Sequence, residues 1–328
     1  MRHVGILGLG SYLPEQKLTN SDLAKIVETS DEWIMSRTGI KERRVVAKGE
    51  KTSDLAIGAA KDALKNSHLD ASKIDLIVVA TVTPDSNFPS VSCLVQKAIG
   101  AKHAAGFDIS AACAGYLYAL TTAKQFIQTG LYNCALVIAA ENMTSIIDWT
   151  DRGTCVLFGD GAGACVLGVE EKKNHGILAD HLENFGNLSD LMSVVVEGRR
   201  HPSQKAAEKS KLPYVVMDGK EIFKVAVNSM AEAVEKVAKK AGLKLSDIDC
   251  IVPHQANDRI ISAVAKKLDV PKEKIFINID KYGNMSAASI AVAFHEAVQQ
   301  GRIKKGDYVA LVAFGAGLVA AANIVRWA

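Results

Sequence analysis

Several features that would assign a protein to a compartment or to a large partner are missing from this 328-residue sequence. It has no apolar run of the ~20 residues that a membrane-spanning helix needs, so we expect no membrane partner. A formal net charge of +3 is too small to predict nucleic-acid binding from bulk charge. The start, MRHVGILGLGSYLP, is basic and then apolar but has no signal-peptide cleavage site. We interpret it as the first strand of a cytoplasmic protein.

Motifs for metals, disulfides and phosphates are missing as well. The six cysteines include no C-x-x-C pair and no Cys/His metal spacing, which predicts reduced thiols and no metal site. Two glycine-rich stretches, FGDGAGA at 158–164 and AFGAGLVAAA at 313–322, match neither a P-loop nor a dinucleotide-binding fingerprint. Each could be a tight turn, and the second could instead present a backbone N–H to an oxyanion. No bound cofactor is predicted.

What the sequence does contain is an alternation of strand-like and helix-like segments. Residues 74–82, 135–140 and 163–169 are short apolar runs, typical of strands buried on both faces. Residues 52–69 have helical periodicity after a Thr-Ser start. The alternation indicates βαβ units in an α/β fold, and the length suffices for about two domains of ~150 residues. Residues 172–212 are less regular and include GRRHPSQKAAEKSK, which predicts an exposed loop.

The second half of the sequence repeats the first. SKIDLIVVAT at 72–81 matches SDIDCIVPHQ at 246–255. A helix-like run that starts at Cys113 and another that starts at Asn284, 171 positions later, each end at a glycine 17 residues further on. Cys113 and Asn284 therefore occupy equivalent positions in two copies of one unit, and His254 follows a strand of the second copy. Because α/β folds form their sites where strand meets helix, these three residues are candidates for one site.

Cys113 is the candidate nucleophile, although the residues alone leave a buried core thiol as the alternative. With Ser110 as N-cap, Cys113 lies in the first helical turn, where the helix dipole lowers a thiol pKa by roughly one unit. Because the ordinary pKa of a cysteine thiol is ~8.5, this lowering leaves most of the thiol protonated at neutral pH. A second group, such as a neighbouring histidine, is therefore needed to form the thiolate. Pro253 should break its strand and push His254 out of the hydrogen-bond ladder of the sheet. His254 could then be the partner of the Cys113 thiol, or it could be a surface histidine. Asn284 could be an ordinary N-cap.

Six stretches in order along the chain resemble the β-ketoacyl-acyl carrier protein synthase III family, the initiating condensing enzymes of type II fatty-acid synthesis. They are DEWIMSRTGIKERR (31–44), FPSVSCLVQ (88–96), DISAACAGYLYAL (108–120), LFGDGAGA (157–164), HQANDRII (254–261) and YGNMSAASI (282–290). The resemblance implies a thiolase-like α/β fold with two pseudo-repeated βαβαβαββ halves in a layered α-β-α-β-α core. Residues 1–172 would carry the nucleophile, and residues 173–328 the histidine and the asparagine.

The resemblance also implies a reaction. Cys113 would take the primer acyl group from an acyl-CoA, which is a substrate and not a cofactor. His254 and Asn284 would hydrogen-bond the malonyl thioester carbonyl of malonyl-acyl carrier protein and stabilise the enolate that forms as CO2 leaves. That carbanion would then attack the acyl-Cys113 thioester. The backbone N–H groups of Cys113 and Ala316 would form the oxyanion hole, which needs only donors aimed at the developing charge.

A binding site for CoA follows from the same resemblance. Trp33 and Arg152 would hold the adenine between them, a stacking role that suits a planar guanidinium. Arg37 would meet the nucleotide phosphates, and Phe223 and Asn257 would line the pantetheine tunnel. Taken without the family, Trp33 would be a partly buried helix aromatic and Arg37 a solvated charge.

Two protein partners are implied as well. The resemblance predicts a homodimer, in which Phe88 crosses the interface to close the partner's acyl pocket. A basic patch near the tunnel mouth would bind the acidic carrier protein through Lys224, Arg259, Lys266 and Lys267. The alternative for such a charge run is a solvated face.

Of three other functions, a polyketide-type starter enzyme stays open, whereas the sequence argues against a thiolase and a non-catalytic binder. A polyketide-type starter enzyme would share the chemistry and differ in the shape of its primer pocket. A thiolase would need a second cysteine near residues 314–317, which hold none. A non-catalytic acyl-CoA binder would have a broken Cys/His/Asn set, and here all three residues are present. The chain departs from the family at Ala316, where a glycine is usual, and at Met285, where a threonine is usual.

Overall fold

The computed structural model describes residues 1–194 and 214–328. Strands and helices alternate along these residues, as expected for an α/β fold. The strands are β1 (His3–Tyr12), β2 (Lys17–Thr19), β3 (Glu42–Arg44), β4 (Leu76–Ala80), β5 (Ala105–Ile109), β6 (Cys134–Asn142), β7 (Asp160–Glu170), β8 (Gly176–Asn184), β9 (Met192–Val194), β10 (Val215–Met217), β11 (Cys250–Pro253), β12 (Tyr308–Gly315) and β13 (Val319–Arg326). The helices are α1 (Asn20–Leu23), α2 (Asp31–Thr38), α3 (Thr52–Ser67), α4 (Val91–Ile99), α5 (Gly115–Gln128), α6 (Gly219–Lys240), α7 (Asp258–Lys267), α8 (Ile279–Tyr282) and α9 (Ala287–Gln299).

The first sheet comes entirely from the first half of the chain and has the order β1-β7-β6-β4-β5. β4 runs parallel to both β5 and β6, and β7 is antiparallel to β6 and β1. Every residue of β4 and all but the last of β6 are buried, because helices cover both faces of this sheet. The three strands predicted from continuous apolar runs are confirmed as β4, β6 and β7, with ends that differ by a few residues.

The second sheet repeats this order as β8-β13-β12-β11. The strand equivalent to β5 is reduced to a single bridge between Ile251 and Ile275. Beside this bridge, the Gln255 side chain hydrogen-bonds the backbone in place of a neighbouring strand. Its Nε2 donates to the Phe276 carbonyl (3.3 Å), and its Oε1 accepts from the Asn278 N–H (3.0 Å). The Phe276 carbonyl and the Asn278 N–H thereby have hydrogen-bond partners although no longer strand forms here.

Five layers result from the two sheets and their helices. α5 and α9 lie between the sheets, in one core with the inner faces of both. α3 and α4 cover the outer face of the first sheet, and α6 and α7 cover that of the second. This arrangement confirms the predicted α-β-α-β-α layering of two βαβαβαββ halves. The domain boundary between residues 172 and 173 stays a prediction.

Two predicted segments can be compared with the structure directly. The helix expected at 52–69 begins at Thr52 as predicted and ends at Ser67, where His68 turns the chain with φ +54°. The loop expected at 172–212 is wrong for its first part, since Gly176–Asn184 forms β8. This strand lies at a sheet edge with one partly exposed face, which permits its polar residues. The GRRHPSQKAAEKSK stretch lies outside the described residues. In the described part of the chain, no helix has the length and apolarity needed to cross a bilayer.

Candidate active site

Cys113, His254 and Asn284 line one cavity of about 450 Å³. The cavity lies where the carboxyl end of β11 faces the starts of α5 and α9, the junction predicted from the repeat. Its remaining walls are mainly apolar and include Phe158, Met230 and Phe314. Three polar residues far apart in sequence therefore converge in an apolar pocket, the usual arrangement of a small-molecule site.

The Cys113 thiol is held in a tight turn immediately before α5. The turn is a 3-10 segment, Ala112–Ala114, and Ala112 has φ +44°. Ser110 caps neither this segment nor α5, so the predicted N-cap is wrong. Burial raises the pKa of Cys113 to about 12, with Ser286 acting in the opposite direction. The predicted lowering of the pKa is therefore wrong, because desolvation outweighs a dipole effect of at most ~2 kcal/mol.

His254 extends the ladder of the second sheet by one residue beyond β11. Its N–H donates to the Val312 carbonyl at 2.7 Å, so Pro253 does not push it out of the ladder as predicted. The missing N–H of Pro253 faces away from β12, towards the edge where a proline is tolerated. Burial alone lowers the pKa of His254 to about 3. The imidazole is neutral at physiological pH, and its Nδ1 is buried without a hydrogen-bond partner in the described residues.

Asn284 is fixed from both its backbone and its side chain. Its N–H donates to the Leu157 carbonyl (2.9 Å), and its carbonyl accepts from the Gly159 N–H (3.1 Å). The side-chain Oδ1 accepts from the Ser286 N–H at 2.8 Å. The acceptor is thus occupied, and the Nδ2 donors remain for the cavity that Asn284 lines. Asn284 does not cap α9, whose N-cap position is held by Ser286.

Gly315 allows the two halves to meet at the nucleophile. It ends β12 and lines the cavity, and a Cβ at this position would lie 2.7 Å from the Cys113 backbone nitrogen. A side chain here would therefore displace the Cys113 N–H, one of the two donors predicted for an oxyanion hole. The second predicted donor, Ala316, follows directly in the turn between β12 and β13 and is partly buried.

We expect Gly315→Ala to slow formation of the acyl-enzyme by ~10²-fold, because small displacements of reacting groups have effects of this size. The rate is measured by quenched mass spectrometry after mixing with acetyl-CoA. Gly186→Ala is the matched control, since a Cβ at Gly186 would meet no atom within 4 Å. An unchanged acylation rate in Gly315→Ala would remove the Cys113 N–H from the proposed oxyanion hole.

Two guanidinium groups lie close to the Trp33 ring at the protein surface. The Cζ atoms of Arg37 and Arg152 are 4.4 Å and 5.3 Å from the Trp33 ring centroid. The structure thus brings together all three residues predicted for the nucleotide end of CoA. An adenine ring stacked between Trp33 and Arg152 would lie ~3.5 Å from each, so the two side chains would have to be about 7 Å apart. Arg152 would therefore have to move away from Trp33 to admit the ring. Arg152 is exposed and donates a hydrogen bond to the Glu28 carbonyl at 3.1 Å.

Comparison with known proteins assigns this architecture to a family. Residues 107–186 match the family described as 3-Oxoacyl-[acyl-carrier-protein (ACP)] synthase III, and residues 238–327 match its C-terminal part. Beta-ketoacyl-[acyl-carrier-protein] synthase III of Caldanaerobacter subterraneus subsp. tengcongensis is 51% identical over 323 residues, covering 98% of this chain and 97% of the relative. The chain belongs to the 3-oxoacyl-[acyl-carrier-protein] synthase III family. It is an acyltransferase-type condensing enzyme, as the resemblance predicts.

Solved structures agree with this assignment. The crystal structure of 3-oxoacyl-[acyl-carrier-protein] synthase III from Aquifex aeolicus VF5 has a TM-score of 0.92 and 48% identity, covering 99% of this chain and 100% of that one. The priming beta-ketosynthase from the R1128 polyketide biosynthetic pathway also has a TM-score of 0.92, at 35% identity, covering 99% of this chain and 96% of that one.

The other residues predicted from the family resemblance fall into two groups. Phe223, Asn257, Lys224 and Arg259 line the cavity, and Arg259 Cζ lies 5.9 Å from the Phe223 ring centroid. Asn257 also caps α7, since its side chain accepts from the Arg259 N–H at 2.9 Å. The remaining two cations, Lys266 and Lys267, are exposed in the last turn of α7. Arg259, Lys266 and Lys267 thus follow α7 away from the cavity mouth, and Lys224 lies on α6.

Phe88 and the two departures from the family lie in different surroundings. The Phe88 side chain is 85% exposed on the single chain and does not line the cavity. Met285 is buried in the core between the sheets, against Gly161, and does not line the cavity either. Ala316 keeps a backbone N–H at the turn, as any residue except proline would.

Sequence reasoning missed two polar residues close to Cys113. Glu141, near the end of β6, is completely buried, and Ser286 precedes α9 with φ +48°. A signal for Glu141 was present, because it is a lone carboxyl after the apolar run ALVIAA. Ser286 gave no signal of its own, since serine is common at helix starts.

Proposed function

We propose that this protein catalyses the decarboxylating condensation of a primer acyl-CoA with malonyl-acyl carrier protein. The products are β-ketoacyl-acyl carrier protein, CoA and CO2, and the reaction initiates fatty-acid synthesis. The observation that carries the proposal is the convergence of Cys113, His254 and Asn284 in one cavity of about 450 Å³. Membership of the synthase III family supports the choice of substrates.

The first half-reaction forms an acyl-enzyme. The Cys113 sulfur loses its proton and attacks the thioester carbon of the acyl-CoA, the C–S bond to CoA breaks, and the CoA sulfur takes up a proton. The tetrahedral oxyanion accepts hydrogen bonds from the Cys113 and Ala316 N–H groups, whose lack of backbone carbonyl partners in the described residues supports this role. CoA then leaves, so the enzyme follows a ping-pong sequence.

The second half-reaction removes CO2 from the malonyl thioester. The Nε2–H of neutral His254 and the Nδ2–H of Asn284 donate to the thioester oxygen, on which the enolate charge develops. Neutral donors in a mainly apolar pocket suit this step, because they stabilise charge without first giving up a proton. The enolate carbon attacks the acyl-Cys113 carbonyl, and the Cys113 thiolate is expelled. This sequence uses no bound cofactor.

CoA binding is proposed at the cavity mouth. Trp33, Arg37 and Arg152 would hold the nucleotide, and Phe223 and Asn257 would contact the pantetheine arm. The clustering of the first three residues and the cavity position of the other two support this assignment. The exposed cations at the mouth and along α7, namely Lys224, Arg259, Lys266 and Lys267, are proposed to bind the acidic carrier protein.

A homodimer is proposed from an unpaired edge of the first sheet. Among the described residues, β4 is the one strand that pairs with β5, and the first residues of β5, Ala105 and Gly106, are exposed. An open edge favours pairing with another strand, and the exposed Phe88 supplies an apolar contact. We expect sedimentation equilibrium to give twice the 35.0 kDa mass of one chain. A monomer at micromolar concentration would contradict the dimer and the role of Phe88.

The reaction is tested by its stoichiometry. The protein is incubated with acetyl-CoA and malonyl-acyl carrier protein, and free CoA, CO2 and ketoacyl carrier protein are measured together. We expect the three products in equal amounts. CO2 without ketoacyl product would indicate a malonyl decarboxylase, and CoA without CO2 would indicate a thioesterase.

A priming role in polyketide synthesis is the second candidate, supported by 35% identity to the R1128 priming ketosynthase. A preference for other primer acyl groups over acetyl would favour it.

A further inference from the structure

Arg43 is a buried cation that takes no part in the reaction steps proposed for this site. It lies in β3 and is fully buried. Its Nη1 donates to the Leu18 carbonyl (3.1 Å) and to Asn20 Oδ1 (2.9 Å), and its Nη2 donates to the Val156 carbonyl (2.7 Å). Burial lowers the pKa of Arg43 to about 10, so the guanidinium stays charged at neutral pH. A buried charge must be compensated by hydrogen bonds, and here neutral oxygens accept them.

The Val156 carbonyl belongs to the segment of the chain that holds Asn284. The next residue, Leu157, has a carbonyl that accepts from the Asn284 N–H (2.9 Å). The Gly159 N–H donates to the Asn284 carbonyl (3.1 Å). Because both backbone groups of Asn284 are bonded to this segment, the Asn284 backbone follows the position of residues 156–159.

The stem of the Arg43 side chain packs against the same place. A Cβ at Gly159 would lie 3.0 Å from the Arg43 Cβ, and a Cβ at Gly283 would lie 3.2 Å from it. Gly283 directly precedes Asn284 in the chain. Arg43 therefore supports both chain segments that meet at Asn284, by close packing as well as by its hydrogen bond to the Val156 carbonyl.

The other side of the Arg43 guanidinium is anchored at α2. Asn20, which accepts from Arg43 Nη1, is itself buried. Its Nδ2 donates to the Ile40 carbonyl (2.7 Å) and to Oδ1 of Asp31, the first residue of α2 (2.8 Å). Arg43 is thus held from behind, so its Nη2 presents a fixed donor to the segment that contains Val156.

The other two residues of the site are held by a different element. The His254 N–H donates to a carbonyl of β12, and Gly315 at the end of the same strand lies against the Cys113 backbone nitrogen. β3 takes part in neither contact. A change at Arg43 should therefore displace Asn284 and leave Cys113 and His254 in place.

We propose that Arg43 is a positioning residue for Asn284. By fixing residues 156–159, it holds the Asn284 Nδ2 donor where negative charge develops on the malonyl thioester oxygen. This inference rests on the proposed function, and it assigns Arg43 to the decarboxylation half-reaction. Arg43 does not line the cavity, so it acts through Asn284 and not on the substrate.

Arg43→Met should lower CO2 release from malonyl-acyl carrier protein by ~10²-fold, because misplacing a reacting group by about 1 Å has effects of this size. Methionine keeps an unbranched stem beside the two glycines but has no donor for the Val156 carbonyl. Arg43→Lys should lose less, roughly 10-fold, because the ammonium keeps the charge but cannot reproduce the planar fork. Acylation of Cys113 should proceed at the wild-type rate in both variants.

The two half-reactions are measured separately on each variant. Acyl-enzyme formation from acetyl-CoA is followed by rapid quench and intact mass, and decarboxylation by release of labelled CO2 from malonyl-acyl carrier protein. Lys124→Met is the matched control, since Lys124 is another buried cation, paired with Asp180 at 2.7 Å, that does not line the cavity. It should change both rates by the same factor. All rates are taken below the unfolding temperature of each variant, and if Arg43→Met does not fold, Arg43→Lys provides the test.

A double variant distinguishes positioning from a general structural role. If Arg43 acts through the Asn284 amide, adding Arg43→Lys to Asn284→Ala should lower CO2 release no further, since the group that Arg43 positions is gone. A general structural role would instead multiply the two effects.

The outcomes separate the inference from the function on which it rests. Loss of CO2 release with acylation retained, and no further loss in the Asn284→Ala background, supports the inference. A loss that acylation shares, a loss confined to acylation, no loss at all, or effects that multiply in the double variant would each overturn it. If the wild type neither forms an acyl-enzyme nor releases CO2, the proposed function fails, and the inference fails with it.

Discussion

Replacing Cys113 by alanine should abolish condensation, with a loss on the order of 10⁴-fold or more, as expected when a covalent nucleophile is removed. No other cysteine lines the cavity, so no thiol can substitute. Binding of CoA should persist, because the residues proposed to contact it are unchanged. Residual decarboxylation of malonyl-acyl carrier protein should persist as well, since His254 and Asn284 remain in place.

The matched control for this prediction is Cys165→Ala. Cys165 is also buried, and burial raises its pKa to about 12 as well, but it lies on β7 outside the cavity. We expect this variant to form the acyl-enzyme at the wild-type rate. Condensation at a comparable rate in Cys113→Ala would show that the acyl group passes directly from CoA to the enolate, against the ping-pong sequence.

Removing either enolate donor should produce the second largest effect. We expect His254→Ala and Asn284→Ala each to lower CO2 release from malonyl-acyl carrier protein by ~10²–10³-fold, the usual effect of losing one donor to a developing oxyanion. Acylation of Cys113 should continue in both variants, so the acyl-enzyme should accumulate. The double variant should lose less than the product of the single effects, because the two donors act on one oxygen.

His295→Ala serves as the control for this pair. His295 is also a buried histidine with a lowered pKa, but its Nδ1 contacts the Ser11 hydroxyl (3.0 Å) away from the cavity. It should release CO2 at the wild-type rate. Normal CO2 release by His254→Ala, with the acyl-enzyme trapped, would show that His254 acts in the carbon–carbon bond-forming step instead.

The sequence predicted the fold and the convergence of the site because both depend on topology. Continuous apolar runs identified β4, β6 and β7 as strands covered on both faces. The 171-residue repeat placed Cys113 and Asn284 at equivalent strand–helix junctions, and the structure brings them into one cavity. Parallel strands of a repeated unit place such junctions at the same edges, so no side-chain detail was needed.

The pKa values of the site residues could not be predicted from topology in the same way. The expected lowering of the Cys113 pKa rested on local helix geometry, whereas burial in the folded chain raises that pKa. The same burial explains the low pKa of His254. Interactions of this kind depend on tertiary packing, which periodicity does not describe.

The central claim, that Cys113 accepts the primer acyl group, is tested most directly by intact-protein mass spectrometry. The wild type and Cys113→Ala are each incubated with a panel of acyl-CoAs, and the labelled peptide is identified after digestion. We predict a mass gain of one acyl group in the wild type only, located on Cys113, and the acyl-CoA that loads best identifies the primer class. Equal labelling of Cys113→Ala, or no labelling of the wild type by any acyl-CoA, would contradict the account.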